Sequence, residues 1–210
     1  LKEKGTCVHG KRDGLYTVYH EDGSTDRTGH YQSDVLEGDI FVYYASGKVK
    51  EQWNARQGMI DGLFVMFYEN GQVQEQGSYI ANKREGLYQT YYENGQLLQE
   101  GVYANDLLNG QVRIYYDSGQ LKAEGFYEAD QPDGFYRTYY ENGQEQEVWS
   151  YRKGVLDGDY VIYHENGKVK ARGIYRNGKK DGPYQMYDEQ GQLEQEGVYQ
   201  NDGLEGDVII

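Results

Sequence analysis

Short runs in which apolar and polar residues alternate, each closed by a glycine, follow one another along the whole of this chain. The run Phe135-Tyr136-Arg137-Thr138-Tyr139-Tyr140 is rich in β-formers and too short for a helix, and it is bounded by Pro132-Asp133-Gly134 and Asn142-Gly143, which predicts a strand. A second run, such as Leu121 to Tyr127, predicts a return strand. The pair recurs every 24 residues without insertion or deletion. Glycines keep the frame in two series, one from Gly14, Gly38 and Gly62 to Gly206, the other from Gly23, Gly47 and Gly71 to Gly191. A fixed period of this length means a stack of one supersecondary unit, so function belongs to a repeated surface before any single pocket.

Asn-Gly between two extended runs, at Asn70-Gly71, Asn94-Gly95, Asn142-Gly143 and Asn166-Gly167, predicts two-residue hairpin turns of type I′. Asp22-Gly23, Ser46-Gly47, Ser118-Gly119 and Gln190-Gly191 take the same place. A longer loop, Ala129 to Gly134 in one copy, is expected to lead to the next unit. The predicted fold is all-β: an elongated, single-layer antiparallel β-meander with two strands per repeat, twisted or curved into a rod. Roughly seventeen strands at ~4.8 Å spacing would reach on the order of 80 Å. Residues 1–210 read as one array, with 1–4 the tail of a preceding repeat, 5–196 eight full repeats and 197–210 a partial one.

All 24 tyrosines fall in four columns of the repeat. Side chains alternate across a strand, so Tyr139 and its column mates Tyr19, Tyr43, Phe67, Tyr91, Tyr115, Tyr163 and Tyr187 share one face, while Tyr136 and Tyr140 project from the other. Aromatic ladders on both faces are expected to replace a second layer. Trp53 and Trp149 stand in the column of Gly29, Gly77, Gly101, Gly125, Gly173 and Gly197, which predicts a surface with room for a large ring there.

Composition narrows the partners. Apolar residues are 37% and mean hydropathy is −0.94, yet aromatics reach 15%, as expected where amphipathic tyrosine carries the apolar surface. A net charge of −14 opposes nucleic acid and anionic bilayers and favours the basic surface of a protein partner. One acidic row, Glu21, Glu69, Glu93, Asp117, Glu141, Glu165 and Glu189, precedes the hairpin turns. Another, Asp13, Glu37, Asp61, Glu85, Asp133, Asp157, Asp181 and Glu205, ends the longer loops. The rows either steer a basic partner or simply suit turns and keep the chain soluble. Tyr44, Tyr68, Tyr92, Tyr116 and Tyr140, beside Glu69, Glu93, Asp117, Glu141 and Glu165, are the candidate partner-binding residues, because ring area, hydroxyl and charge come together there. The same rings could instead pack against neighbouring turns.

Catalysis and cofactors find little support. The carboxylates repeat with the frame, whereas an active site would break it, and no nucleophile elbow or phosphate loop is present. His20, Asp22, Asp26 and His30 are close in sequence without matching a metal-ligand spacing. Cys7, the single cysteine, stands in a tyrosine column and reads as a small substitute in a packed position. No apolar run is long enough to span a membrane. The sequence starts and stops in mid-repeat, as expected of a piece of a longer polypeptide from which an export signal has been removed, which favours the periplasm or envelope as its compartment, with the cytoplasm the alternative. Its last residues, Val208-Ile209-Ile210, would form a strand edge open to end-to-end or edge self-association.

Tyr-Tyr-Glu-Asn-Gly-Gln at 91–96 and 139–144, and the segment from Tyr175 through Asn177, Gly178, Lys179 and Lys180 to Gly182, resemble the MORN-repeat variant of bacterial proteins labelled YwqK-family antitoxins. The resemblance covers the entire chain and implies a curved antiparallel β-meander. It further implies an antitoxin or immunity role, with the array binding and blocking a toxin or secreted effector, such as a phospholipase. A structural scaffold and a lipid-associated module are the alternatives it carries. Here glutamine, at Gln72, Gln96, Gln120, Gln144 and Gln192, mostly replaces the lysine common after Asn-Gly in the family, which makes the array more acidic and argues against lipid headgroups.

Overall fold

The structure is a computed structural model and describes residues 2–209; Leu1 of the expected tail and Ile210 of the expected last strand lie outside the described residues. Among the described residues there are twenty strands and no helix, and the strands pair antiparallel. The chain divides into two compact units, Leu1–Leu107 and Leu108–Ile210, each a meander of hairpins paired in chain order.

In the first unit the outgoing strands include Lys11–Tyr19, Val35–Tyr43 and Met59–Phe67, and the return strands Thr25–Gln32, Val49–Arg56 and Val73–Ile80. Its buried side chains form one column on the outgoing strands, Tyr16, Ile40 and Phe64, with Ala55 beside them. Tyr16 pairs across the ladder with Gly29 and Phe64 with Gly77. Those glycines are buried, and the side chains opposite lie over them: a Cβ on Gly29 would stand 2.7 Å from Ile40 Cδ1, and one on Gly77 would overlap the Tyr88 ring. The glycine column is therefore the floor of the core and not an open surface.

The second unit repeats the scheme with Val112, Tyr160 and Tyr184 buried opposite Gly125, Gly173 and Gly197. Where Trp149 replaces the glycine it stacks on Tyr160, centroids 5.3 Å apart and planes 14° off parallel, and donates Nε1–H to Glu147 Oε2 at 2.9 Å. Tyrosines of the return strands close the ladder edge-on: Tyr16 to Tyr31 at 5.3 Å in the first unit, Tyr160 to Tyr175 at 5.4 Å in the second. Among the described residues these ring contacts lie on one face, where ladders were expected on both. In the Tyr139 column, successive rings are separated by a return strand that bears Thr28, Gln76, Glu124 or Arg172 at the facing position, and these polar partners bond the Tyr43, Tyr91, Tyr139 and Tyr187 hydroxyls.

The two kinds of turn exchange the roles expected of them. At Asn70-Gly71 the Gly71 N–H donates to Tyr68 O at 2.8 Å and the Tyr68 N–H to Gln72 O at 2.8 Å, and only the glycine has positive φ, 92°. This is a three-residue type I turn with a glycine bulge, because Asn70 Oδ1 accepts from Gln72 N at 2.8 Å and so holds Asn70 right-handed. Type I′ geometry, positive φ at both central residues, sits at the other end of the hairpins, as at Gln57-Gly58 (53° and 75°) and Ala129-Asp130 (49° and 65°). The expected longer loop is thus a two-residue turn, and strands such as Gln131–Tyr139 start directly after it. Within that strand Gly134, φ 99°, makes a bulge that sets Phe126 alone against residues 133–135. The short pieces Lys83–Arg84 and Lys179–Lys180 are outgoing strands divided at this bulge, where Glu85 N–H still donates to Ser78 O and Asp181 N–H to Ile174 O.

Candidate interaction surface

The proposed binding tyrosines stand where each outgoing strand enters the glycine turn. In the first unit Tyr44 Oη donates to Phe67 O at 2.6 Å and Tyr68 Oη to Tyr91 O at 2.7 Å; in the second, Tyr116 Oη donates to Tyr139 O at 2.7 Å and Tyr140 Oη to Tyr163 O at 2.8 Å. His164 substitutes faithfully, its Nε2 reaching Tyr187 O at 2.8 Å. Tyr92 occupies the same place and is likewise half-buried. The Tyr44, Tyr68, Tyr116 and Tyr140 hydroxyls and the His164 ring each tie their repeat to the next. Burial, with Glu69 or Glu165 nearby, raises the Tyr44 and Tyr140 hydroxyls above the ordinary phenol range.

The acidic neighbours face solvent. Glu69 and Glu93 in the first unit, and Asp117, Glu141 and Glu165 in the second, are exposed. Backbone at these residues is held from the preceding repeat: Asn70 Nδ2 donates to Glu93 O at 2.9 Å, Lys48 Nζ to Glu69 O at 2.7 Å and Asn142 Nδ2 to Glu165 O at 3.2 Å. Within each unit the edge so built is a row of exposed carboxylates over half-buried rings. A polar hollow of about 380 Å³ opens beside Glu165, bounded by Asn142, His164, Asn166 and Glu189.

The second acidic row does different work. Glu37 Oε1 accepts from Gln57 N at 2.9 Å, Glu85 Oε2 from Asn105 N at 2.9 Å and, in the second unit, Asp133 Oδ1 from Lys153 N at 3.3 Å. These half-buried carboxylates cap the next two-residue turn. The turn replies: Asp34 Oδ1 and Asp106 Oδ1 each accept, at 2.8 Å, from the backbone of Arg12 and Arg84, and those N–H bonds foremost hold both carboxyls below their usual range. Arg12 and Arg84 also lie 4.1 Å over the Tyr31 and Tyr103 rings.

The face bearing the Tyr139 column is a polar network. Tyr139 Oη donates to Glu124 Oε1 at 2.9 Å, Gln76 Nε2 to Tyr91 Oη at 2.7 Å, and Arg172 Nη2 to Tyr187 Oη at 3.0 Å. Apolar side chains stand exposed beside it, including Leu63 and Leu87 in the first unit and Phe126 and Phe135 in the second. Sequence reasoning passed over these four; their signal was an apolar residue next to the framing glycines on an otherwise polar face. His20 Nε2 lies 3.6 Å from Asp26 Oδ1, while Asp22 caps its own turn on Ser24; among the described residues no three His, Cys, Asp or Glu side chains gather as a metal would require. Cys7 is exposed and not packed, since its strand Glu3–Val8 is exposed throughout.

The profile of the MORN repeat variant matches residues 12–33, 36–56, 60–81, 84–105, 108–129, 156–177 and 180–201. The copy between 129 and 156 goes unmatched, although its strands Gln131–Tyr139 and Glu145–Arg152 pair in the common register. Among curated proteins none matches. Two solved structures are similar in part: TcdB2-TccC3, at 11% identity over 90% of this chain and 15% of that one with a TM-score of 0.23, and TcdB2-TccC3-Cdc42, at 12% over 89% and 14% with a TM-score of 0.20. The chain spans about 15% of the length of these two.

Proposed function

This chain belongs to the MORN repeat variant family, an all-β repeat scaffold or interaction module, and on that premise we propose that it is a non-enzymatic bacterial antitoxin or immunity protein. It binds the basic surface of a toxin or secreted effector and neutralises it by occupancy. The observation that carries this reading is the carboxylate row of each unit: Glu69 and Glu93 in the first, and Asp117, Glu141 and Glu165 in the second, are exposed, with the backbone of Glu69, Glu93 and Glu165 pinned by cross-repeat hydrogen bonds. A preorganised acidic row raises the association rate of a basic partner and selects against acidic ones. The net charge of −14 acts in the same direction. The resemblance to YwqK-family antitoxins supplies the class of partner.

Capture of the protein encoded beside this one, with the purified chain as bait, tests the reading. The expected result is a complex that weakens steeply with added salt and suppresses the partner's toxicity. A salt-indifferent complex, or full toxicity in the presence of excess chain, overturns it.

A further inference from the structure

On the face opposite the buried column, clefts open at one fixed place in the repeat. One in the first unit, of about 300 Å³, has Asn54 and Leu63 as walls, Trp53 at its floor and Asp39 at its rim. Two in the second unit, of about 250 Å³ each, are walled by Phe126 with Phe135 and by Ile174 with Pro183, over Gly125 and Gly173. Rim positions are Gln111 and Asp159. The positions coincide after shifts of whole repeats, so the clefts follow from the period and not from accidents of packing.

Their cause is the glycine bulge. Phe126 stands alone against residues 133–135, and Asn54 likewise against 61–63, because Gly134 and Gly62 take positive φ, 99° and 117°. The extra residues bend the outgoing strand away and leave a gap beside the return strand. Phe126 and Phe135 are 53% and 60% exposed and together wall one cleft on an otherwise polar face. At or below the lower limit for small-molecule pockets, each cleft has room for one side chain.

We propose that the two second-unit clefts seat two large apolar side chains of one extended, lysine- and arginine-rich segment of the partner, running across the strands. This rests on the reading of the chain as a module for basic proteins and adds the surface and the spacing. The clefts are two repeats, or four strands, apart, ~19 Å, which an extended chain covers in about six residues. Between them Asp159 is exposed, and residues 108–210 carry 19 acidic against 11 basic side chains, so the segment meets an acidic field. Both arginines at the clefts are engaged: Arg137 with Glu124 and Glu145 at 3.7 and 3.5 Å, Arg172 with Gln185 Oε1 at 2.6 Å. The segment therefore gains its charge contacts from the free acid and its anchoring from the clefts.

The test uses labelled peptides of lysine, serine and threonine carrying two phenylalanines about six residues apart, the same with the spacing halved, and the same without phenylalanine. Anisotropy titration against the whole chain should show the first binding on the order of tenfold tighter than the others. Phe126→Ser with Phe135→Ser should remove that advantage, and amide shifts at Gly125 and Gly173 in the unsubstituted chain should move only with the correctly spaced peptide. Equal binding of all three peptides overturns the clefts while leaving the acidic-edge function standing. No binding of any peptide also overturns them, and the capture experiment then decides the function separately.

Discussion

Single residues here are chosen by what lies across the ladder from them. Gly77 faces Phe64 and sits beneath the Tyr88 ring, in ordinary extended backbone, so Gly77→Ala should cost about 1–3 kcal/mol by overpacking, read from urea denaturation. Gly29→Ala meets the flexible ends of Ile40 and Leu36, Cδ1 at 2.7 and 3.3 Å, and should cost less than about 1 kcal/mol. Equal losses at the two sites would refute the role assigned to the rings. The columns themselves were legible from tyrosine spacing, but the burial of the glycines was not. A glycine records that a side chain is missing, not whether solvent or a neighbour's ring fills the space, and the two tryptophans in that column pointed toward solvent. In the same way the tyrosine column beside the acids was visible as a pattern, whereas its hydroxyls' commitment to the next repeat depends on a partner 23 residues away. Tyr140→Phe removes one such bond and should cost about 0.5–1 kcal/mol, with faster amide exchange around Tyr163.

At the level of the hairpin, both turns depend on left-handed residues, but in different places. Gly143 has φ 85° and nothing within 4 Å of a would-be Cβ, so Gly143→Ala isolates the backbone term and should cost about 1–2 kcal/mol in thermal or urea unfolding. Lys153 adopts φ 48° at the first position of a two-residue turn, a conformation asparagine accepts more readily. Lys153→Asn should therefore raise the melting temperature, and a fall would show that the lysine side chain matters more than its backbone. Strands and their order could be read from the sequence because alternation and glycine spacing specify them. Turn type could not be read: Asn-Gly is compatible with either geometry, and the choice falls to Asn70 Oδ1, which reaches the Gln72 N–H in only one of them.

For the molecule as a whole, stability is tied to un-ionised tyrosine. Burial is the leading reason that Tyr88, Tyr136 and Tyr160 all hold their protons above the ordinary phenol range. Below about pH 10 folded and unfolded chains carry the same phenol protons and these groups leave stability unchanged; above it the unfolded chain gives them up first, so stability falls as pH rises. The part of the tyrosinate absorbance that is lost on changing Tyr88, Tyr136 and Tyr160 to phenylalanine should appear together with loss of the sheet's circular dichroism; its appearance near pH 10 with the sheet intact would contradict this. The all-β class and its period were open to inference because each strand pairs with the next one in the chain, as at Gly110–Tyr127 and Gly134–Tyr151. The clefts were not, since a bulge is invisible until two strands are laid side by side. That side-chain-to-carbonyl stitch, at Tyr44 and Tyr68 in the first unit and at Tyr116, Tyr140 and His164 in the second, has one more outcome. Within each unit these bonds run from one copy to the following copy, so unequal recombination can add or delete whole copies, lengthening or shortening the array and changing its count of docking positions, with no new interior to evolve.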